Sequence, residues 1–409
     1  MDRRSVTDYA ASIREFSLGH AKTPAGARPL KVPVMLLTDI QTEIRDTVRA
    51  WATERVAGNA RAWESAGRYP EALFAELGGL GLMGMTAPSA YGGAEADYVS
   101  YALALMELAA ADGGLSTIVS VHNAPVVAAI VRHATGAQKA EFLPRLCSGA
   151  QIGAFALTES DAGSDAANLR TRAVRTQDGW RINGSKQFIT SGRIAGLTLL
   201  FAVTDPTAGK RGMTAFLVPA GTPGLTVAKV EHKLGQTASD TCALSIDDLA
   251  LADSLRLGEI GQGYGIALSN LETGRIGIGA QSVGMAQAAL ALAIAYAKDR
   301  KTFGKPIMQH QAVGFRLADL AARLEAARQL VLHAASLKDA GLPCLKEAAM
   351  AKLVASETAE TVCSGAIQTL GGYGYLEEYG LAKIYRDVRV CQIYEGTSDI
   401  QRMIIARAL

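Results

Sequence analysis

No surplus of charge marks this sequence: 41 Lys and Arg face 39 Asp and Glu in 409 residues, a formal net charge of +2. Nucleic acid and acidic membrane surfaces therefore have no electrostatic claim to be the main partner. Cysteine is scarce. Cys147, Cys242, Cys344, Cys363 and Cys391 are odd in number, scattered and never spaced as C-x-x-C. That excludes a disulfide framework or a thiolate zinc site and suits buried thiols in a reducing compartment. No uninterrupted apolar run reaches the roughly 18 residues of a membrane span. The six histidines are dispersed and read as core or surface residues, not metal ligands. A dinucleotide fingerprint is missing too, because Ser282 follows Gly277 and Gly279 where the third glycine belongs. Walker A, G-x-S-x-G and H-E-x-x-H are all absent, as are repeats and low-complexity segments.

Glycine and alanine are plentiful, which suits closely packed helices, and the length allows two or three domains with ample core. Residues 1–35 mix Arg3, Arg4, Arg14 and Lys22 with Asp2, Asp8 and Glu15 and lack the apolar heart of a signal peptide. They read as a loosely ordered extension, with Met35 an alternative start. Residues 36–150 read as an all-α domain. Ile40, Ile44, Val48, Trp51 and Val56 give the first helix its stripe. Pro70 opens a second helix, and Gly78, Gly79 and Gly81 close it. Three more are expected over 97–111, 114–133 and 136–147, the last broken near Pro144. At Gln151 the period shortens. Strands are expected over 151–158, 171–176, 180–183, 197–203, 214–218 and 225–230, with Gln177, Asp178 and Gly179 as a hairpin turn. They make 151–255 a small antiparallel β domain. The helical period then returns over 256–409, where Leu317, Leu320, Leu324, Ala327, Val331 and Ala334 form one stripe. Gly341 and Pro343 stop that helix, and 345–370 forms the next. The fold class is thus α+β multidomain: an N-terminal all-α domain, a middle antiparallel β domain and a C-terminal four-helix bundle. Strands and helices do not alternate, so no Rossmann sheet is expected.

Four stretches offer chemistry, each beside a plainer reading. Residues 155–165 run a strand into a Gly/Ser-rich turn whose N–H groups and hydroxyls suit an anion or a heteroaromatic edge; an ordinary strand exit has the same composition. In 187–192 Phe188 can cover a flat ring and Thr190 can hydrogen-bond one of its nitrogens, or Phe188 simply packs in the sheet. Arg300, Lys301 and Lys305 set cations at a helix end, where phosphate and the helix macrodipole are served equally. Residues 393–402 place Glu395 among Ile, Tyr and Gly, ahead of a Thr-Ser-Asp helix start. Burial there raises a carboxyl from about 4.3 toward 6–7, the range of a general base at neutral pH. A Glu favoured at a helix entrance by the macrodipole explains the same residues.

Together, 155–165, 187–192, 271–279, 300–311, 368–372 and 393–402 resemble, in order and spacing, the acyl-CoA dehydrogenase family, from Thr38 to the C-terminus. Residues 274–279 and 346–352 are most similar to the short-chain and short-branched-chain enzymes. The resemblance implies an FAD enzyme that forms a trans double bond between Cα and Cβ of an acyl-CoA. Glu395 matches the family's base; relatives that carry the base on a helix place it at the position of Gly274, which has no carboxylate. Phe155, Leu157, Thr158, Gly163 and Ser164 match one side of the isoalloxazine site, and Phe188, Ile189 and Thr190 the other. Arg300, Phe303, Gln311, Gln368, Leu370, Gly371 and Gly372 match residues that reach the FAD of a neighbouring subunit, which implies a homo-oligomer, most often a tetramer. Thr397 and Asp399 match positions near the ADP portion. Ser164, Glu272, Thr273, Gly274, Arg275, Tyr394 and Gly396 match substrate contacts. Three residues depart from the pattern: Phe188 for a usual Trp, Ser160 for a common Pro, and Gln236 where many relatives have Arg. The expectation is a short-chain acyl-CoA dehydrogenase that passes electrons to an electron-transfer flavoprotein, in the cytoplasm, or in the mitochondrial matrix if the extension is a transit peptide. An oxidase of the same fold and a non-catalytic acyl-CoA-binding homologue are the alternatives.

Overall fold

Helices occupy both ends of the described residues and strands their middle. The structure, a computed structural model, describes residues 37–409; the expected extension over 1–35 lies outside the described residues. Helix α1 (Asp39–Ala52) starts at a reciprocal cap, with the Gln41 N–H donating to Thr38 Oγ1 and the Thr38 N–H to Gln41 Oε1. Its buried stripe is Gln41, Val48 and Ala52, continued by Val56. Ile40 does not join it and is 69% exposed. It stands about 100° round the helix from Gln41, which takes the buried place and donates through Nε2 to Asp97 Oδ2 at 2.8 Å.

Short helices α2 (Ala60–Ala66) and α3 (Glu71–Gly79) lead to α4 (Tyr98–Ala111) and α5 (Gly113–Val121). The last two are capped by the carboxylates of Asp97 and Asp112. A π-helical stretch, His122–Val127, follows around Pro125, then α6 (Ala128–His133) and α7 (Gly136–Cys147). Helix α7 is continuous through Pro144, against expectation. The carbonyl that Pro144 leaves free belongs to Ala140, which is exposed, so water can satisfy it.

The middle sheet is mixed and not purely antiparallel. Its strands are β1 (Ile152–Ala156), β2 (Arg172–Thr176), β3 (Gly179–Thr190), β4 (Ala195–Val203), β5 (Met213–Pro219), β6 (Leu225–Val230), β7 (Thr241–Leu251) and β8 (Arg256–Leu257). They run in the order β6-β7-β3-β2-β4-β5-β8, with β1 beside β4. Strand β1 pairs with β4 in parallel, and β2 meets β4 in parallel at one point, because each returns to β4 through a connection that crosses the sheet. Alternation along β4 gives the sheet two apolar faces. Leu197, Leu199 and Phe201 pack on Val126, Ile130 and Leu146 of the helices, while Leu200 and Ala202 meet Trp180, Ile182 and Ile246.

The C-terminal helices are α8 (Gly263–Asp299), α9 (Gln311–Asp339), α10 (Leu345–Leu370), α11 (Leu381–Val388) and α12 (Ser398–Arg407). The six-residue stripe expected on α9 is buried throughout. Helix α8 packs on α9 and α10, and also on α4. The approach to α4 is close enough that a Cβ on Gly284 would lie 2.1 Å from the Met106 carbonyl oxygen. Between α8 and α9 a hairpin of β9 (Lys301–Thr302) and β10 (Lys305–Pro306) turns through Phe303 and Gly304, both at positive φ. Among the described residues two stretches, Gly113–His133 and Gly263–Asp299, are long and apolar enough to cross a membrane. Their most apolar windows are 94% and 67% buried inside the protein, so both serve as core helices.

Candidate active site

Between α11 and α12 the backbone turns through two consecutive left-handed residues, Glu395 at φ 53° and Gly396 at φ 89°. For a residue with a side chain this conformation costs about 1–2 kcal/mol, so other contacts must hold it. Gln401 Nε2 donates to the carbonyl oxygens of Glu395 at 3.3 Å and Gly396 at 2.8 Å. Lys352 Nζ, from α10, donates to the Gly396 carbonyl as well. Thr397 then caps α12, accepting from the Ile400 N–H.

The strained turn aims the Glu395 carboxylate at α8, opposite Gly274. There is no room there for a side chain: a Cβ on Gly274 would lie 1.8 Å from Glu395 Oε2. The residue as a whole is half-buried, yet both carboxylate oxygens are shut off from solvent and accept no hydrogen bond among the described residues. Burial pushes the carboxyl up to about 7, against the pull of Lys352 and Arg275. Arg275 is itself buried, with Nε unpartnered, and burial holds its guanidinium below its ordinary value. Thr273 adds a buried hydroxyl without a partner. The Glu395 N–H likewise donates to no backbone group among the described residues.

Tyr394, beside the carboxylate, is tied in the opposite direction. Its hydroxyl donates to Gln281 Oε1 at 2.9 Å, and Gln281 Nε2 donates to Thr117 Oγ1. The Thr117 hydroxyl donates to Gln236 Oε1 at 2.7 Å, and Gln236 Nε2 to the Asp387 carbonyl at 3.0 Å. This chain joins the N-terminal helices, the sheet and the C-terminal helices at the residue next to Glu395. Gln236, at φ 51°, is the link from Thr117 to the Asp387 backbone.

A second group of residues gathers at one edge of the sheet. The Gln187 N–H donates to the Thr158 carbonyl at 2.9 Å. Buried Lys186 donates to the Leu157 carbonyl at 3.0 Å and to Glu159 Oε1 at 2.7 Å. Glu159 in turn accepts from the N–H groups of Arg170 and Thr171. These bonds draw 157–159 against 186–190 and leave Phe188 at φ 60°, 63% exposed, with Thr190 half-buried and Ile189 in the core. Gly163 and Ser164 lie on the exposed loop beyond β1.

Sequence comparison agrees with this layout. The family descriptions "Acyl-CoA dehydrogenase" N-terminal, middle and C-terminal domain match residues 38–150, 154–249 and 261–409. The chain belongs to the acyl-CoA dehydrogenase family. It is therefore a flavin-dependent oxidoreductase with that family's three-domain fold. An acyl-CoA dehydrogenase of Bacillus subtilis is 45% identical over 375 residues, 92% of this chain and 99% of its own. The solved butyryl-CoA dehydrogenase of Megasphaera elsdenii superposes with a TM-score of 0.89 at 42% identity, covering 91% of this chain and 98% of that one. A chain in the structure described as the electron transferring flavoprotein of Acidaminococcus fermentans gives 0.90 at 39%, over 91% and 98%.

As an acyl-CoA dehydrogenase, the chain brings Glu395, Gly396, Tyr394, Thr273, Gly274 and Arg275 into one neighbourhood. Glu272 is not among them. It lies about 200° round α8 from Gly274, paired with Lys338 at 2.5 Å and accepting from Cys344 Sγ. Phe155 packs its ring edge-on against Phe201 at 5.0 Å, facing the core. Arg300, Gln368, Leu370, Gly371 and Gly372 line a cavity of about 490 Å³ on the outer face of the C-terminal helices. Tyr373 completes it, with the Arg300 guanidinium 5.9 Å over its ring. Phe303, at 96% exposed, and Gln311 stand outside that lining. Asp399, in the first turn of α12, is exposed and pairs with Arg402. A flat, anionic cofactor suits these groups: Arg300 makes no ion pair among the described residues, and a Cβ on Gly371 or Gly372 would meet nothing within 4 Å.

Two contributors were missed in the sequence. Lys352 interrupts the buried stripe of Ala348, Ala355 and Ala359 on α10, and a lone lysine on an apolar face was the available signal. Gln281 had none, being one polar residue among many on α8.

Proposed function

We propose that this protein oxidises the Cα–Cβ bond of a short-chain acyl-CoA, straight or branched, to the trans-2-enoyl-CoA, with Glu395 as the base. The observation that carries the proposal is the Glu395 carboxylate, buried, unpartnered and held opposite Gly274. A carboxyl near 7 is part ionised at neutral pH and can take the α-proton of the thioester. The free Glu395 N–H is placed to donate to the thioester carbonyl as negative charge builds there. Tyr394, the residue before the base, is held by Gln281. FAD is the cofactor and, when bound, supplies the acceptor for the hydride that leaves Cβ. Residues 155–164 and 188–190 would hold its ring system, Thr397 and Asp399 its ADP portion. Arg300, Phe303, Gln311 and the cavity residues would reach the FAD of a neighbouring subunit.

Butyryl-CoA is the acyl group acted on by a solved relative, which supports the short-chain assignment. Likeness to a chain in an electron transferring flavoprotein structure supports such a protein as electron acceptor. The cavity on an outer face, beside exposed aromatic residues, supports a homo-oligomer, which the family resemblance makes a tetramer. Bacterial relatives support a cytoplasmic setting. The change from helix α7 to strand β1 supports a domain boundary at 150/151, whereas strand β8 carries the sheet two residues past the expected boundary at 255/256.

The test is anaerobic titration of purified protein with butyryl-CoA, following flavin absorbance, beside Glu395→Gln. Bleaching of wild type and not of the variant is expected. Bleaching of both would remove Glu395 as the base. If neither bleaches while flavin is bound, the acyl group is wrong.

A further inference from the structure

Lys352 is fully buried, and a buried ammonium with one hydrogen bond is costly to maintain. Burial lowers its own affinity for a proton to about 8, and the charge it faces is that of Glu395. Among the described residues its one partner is not a carboxylate but the Gly396 carbonyl, the next peptide group after Glu395. A side chain kept only for packing on this apolar face of α10 would be served better by Met or Leu. What Lys352 touches is the backbone of the strained turn that aims the carboxylate.

We propose that Lys352 is the positioning residue of Glu395: it ties the turn to α10 through the Gly396 carbonyl, and its charge favours the proton-accepting form of the facing carboxylate. The inference rests on the reading of Glu395 as the base. From α8, Arg275 faces the same carboxylate, and from α4 the Tyr101 hydroxyl does. Helix α12 presents neutral Gln401, and the loop itself carries Tyr394 and Cys391. Two cations therefore face one anion. When Glu395 takes the α-proton, the negative charge passes to the thioester while Lys352 and Arg275 remain. The same ammonium thus serves both ends of the proton transfer.

The experiment compares the pH profile of anaerobic flavin reduction in wild type, Lys352→Gln, Lys352→Arg and Gln401→Leu, all as holoenzyme. Lys352→Gln keeps a donor for the Gly396 carbonyl and removes the charge. Its acid limb is expected to move up by about one pH unit, as loss of a neighbouring opposite charge requires. Lys352→Arg returns the limb to the wild-type position. Gln401→Leu loosens the turn without altering charge, so it slows reduction and leaves the limb in place. A limb unmoved in Lys352→Gln overturns the proposal.

A second measurement does not depend on turnover or on the Lys352 and Gln401 variants folding. Infrared difference titration of the wild-type carboxyl, with Glu395→Gln as blank, is expected to give a midpoint near 7. A midpoint well above 8 would mean that Lys352 exerts no pull. Failure of wild type to reduce its flavin would count against the proposed function, while the infrared midpoint would still decide the role of Lys352.

Discussion

At Gly274 one missing methyl group decides whether Glu395 can stand where it does. Gly274→Ala would place a Cβ 1.8 Å from Oε2, and backbone on both sides leaves the carboxylate as the part that yields. A displacement of about 1 Å in a reacting group costs on the order of 100-fold in rate. Flavin reduction in Gly274→Ala is therefore expected to slow by about that factor with flavin content unchanged; a rate within threefold of wild type would show that the carboxylate has slack. The same burial has a thermodynamic side. The Glu395 carboxyl rises from 4.5 to about 7 on folding. Its contribution is thus fully present below pH 4.5 and is lost as pH rises through 7. Glu395→Gln removes that loss, so its Tm should exceed that of wild type at pH 8 and match it at pH 4.5. The full difference is about 3 kcal/mol. Thermal melts at the two pH values check this, and a larger gain at the lower pH would contradict it. At this scale the sequence was legible where chemistry and local chain coincide, as with Glu395 beside Gly396. It was not legible for Lys352, whose role comes from α10 crossing a turn some forty residues further on.

Among the elements, the two segments that match a flavin site are joined by a buried pair and not by strand pairing. Lys186 and Glu159 have almost no exposed side-chain surface and lie 2.7 Å apart. Burial and pairing oppose each other in both: the ammonium ends at about 8, and the carboxyl is held below its ordinary value by Lys186. Removing one partner of such a pair costs about 3–5 kcal/mol, since the other charge stays buried alone. Lys186→Met should lose that much stability in urea unfolding and should release flavin, because the Leu157 carbonyl and the Glu159 carboxylate are no longer drawn to β3 and the Gln187–Thr158 backbone bond is left to hold the segment alone. Lys186→Met with Glu159→Leu should recover much of the stability. If the single variant keeps its flavin, the two segments are held by other contacts. Periodicity read some elements to the residue and missed others for definite reasons. Helix α10 begins and ends as expected because Pro343 and Gly371, at φ 61°, bracket it. Strand β7 escaped because its inward set is Cys242, Leu244 and Ile246, then Leu249 and Leu251. The phase slips at Asp247 and Asp248, the latter at φ 48°. A pattern that changes parity in mid-strand no longer reads as alternation.

For the molecule as a whole, the helix–strand–helix order was visible in the change of hydrophobic period, whereas the joining of the three parts was not. Gly284 against Met106, and Gln236 between Thr117 and Asp387, are contacts across more than a hundred residues that no local pattern encodes. What the single chain leaves unfinished is its outer face. Phe303 is 96% exposed and Tyr375 84%, near a cavity lined by Arg300, Gly371 and Gly372. Burying one phenylalanine contributes roughly 1.5–3 kcal/mol, and in a two-fold interface each substitution counts twice. Phe303→Asp should thus weaken self-association by at least about 3 kcal/mol, roughly 100-fold in the dissociation constant. Sedimentation of wild type and variant over a dilution series measures it, with flavin absorbance recorded across the same boundary. If a neighbouring subunit completes the flavin site, smaller species of Phe303→Asp appear without flavin, and flavin loss tracks dissociation at every concentration. Smaller species that keep their flavin would place the whole cofactor site within one chain, and would leave the Arg300 cavity as a feature of assembly alone.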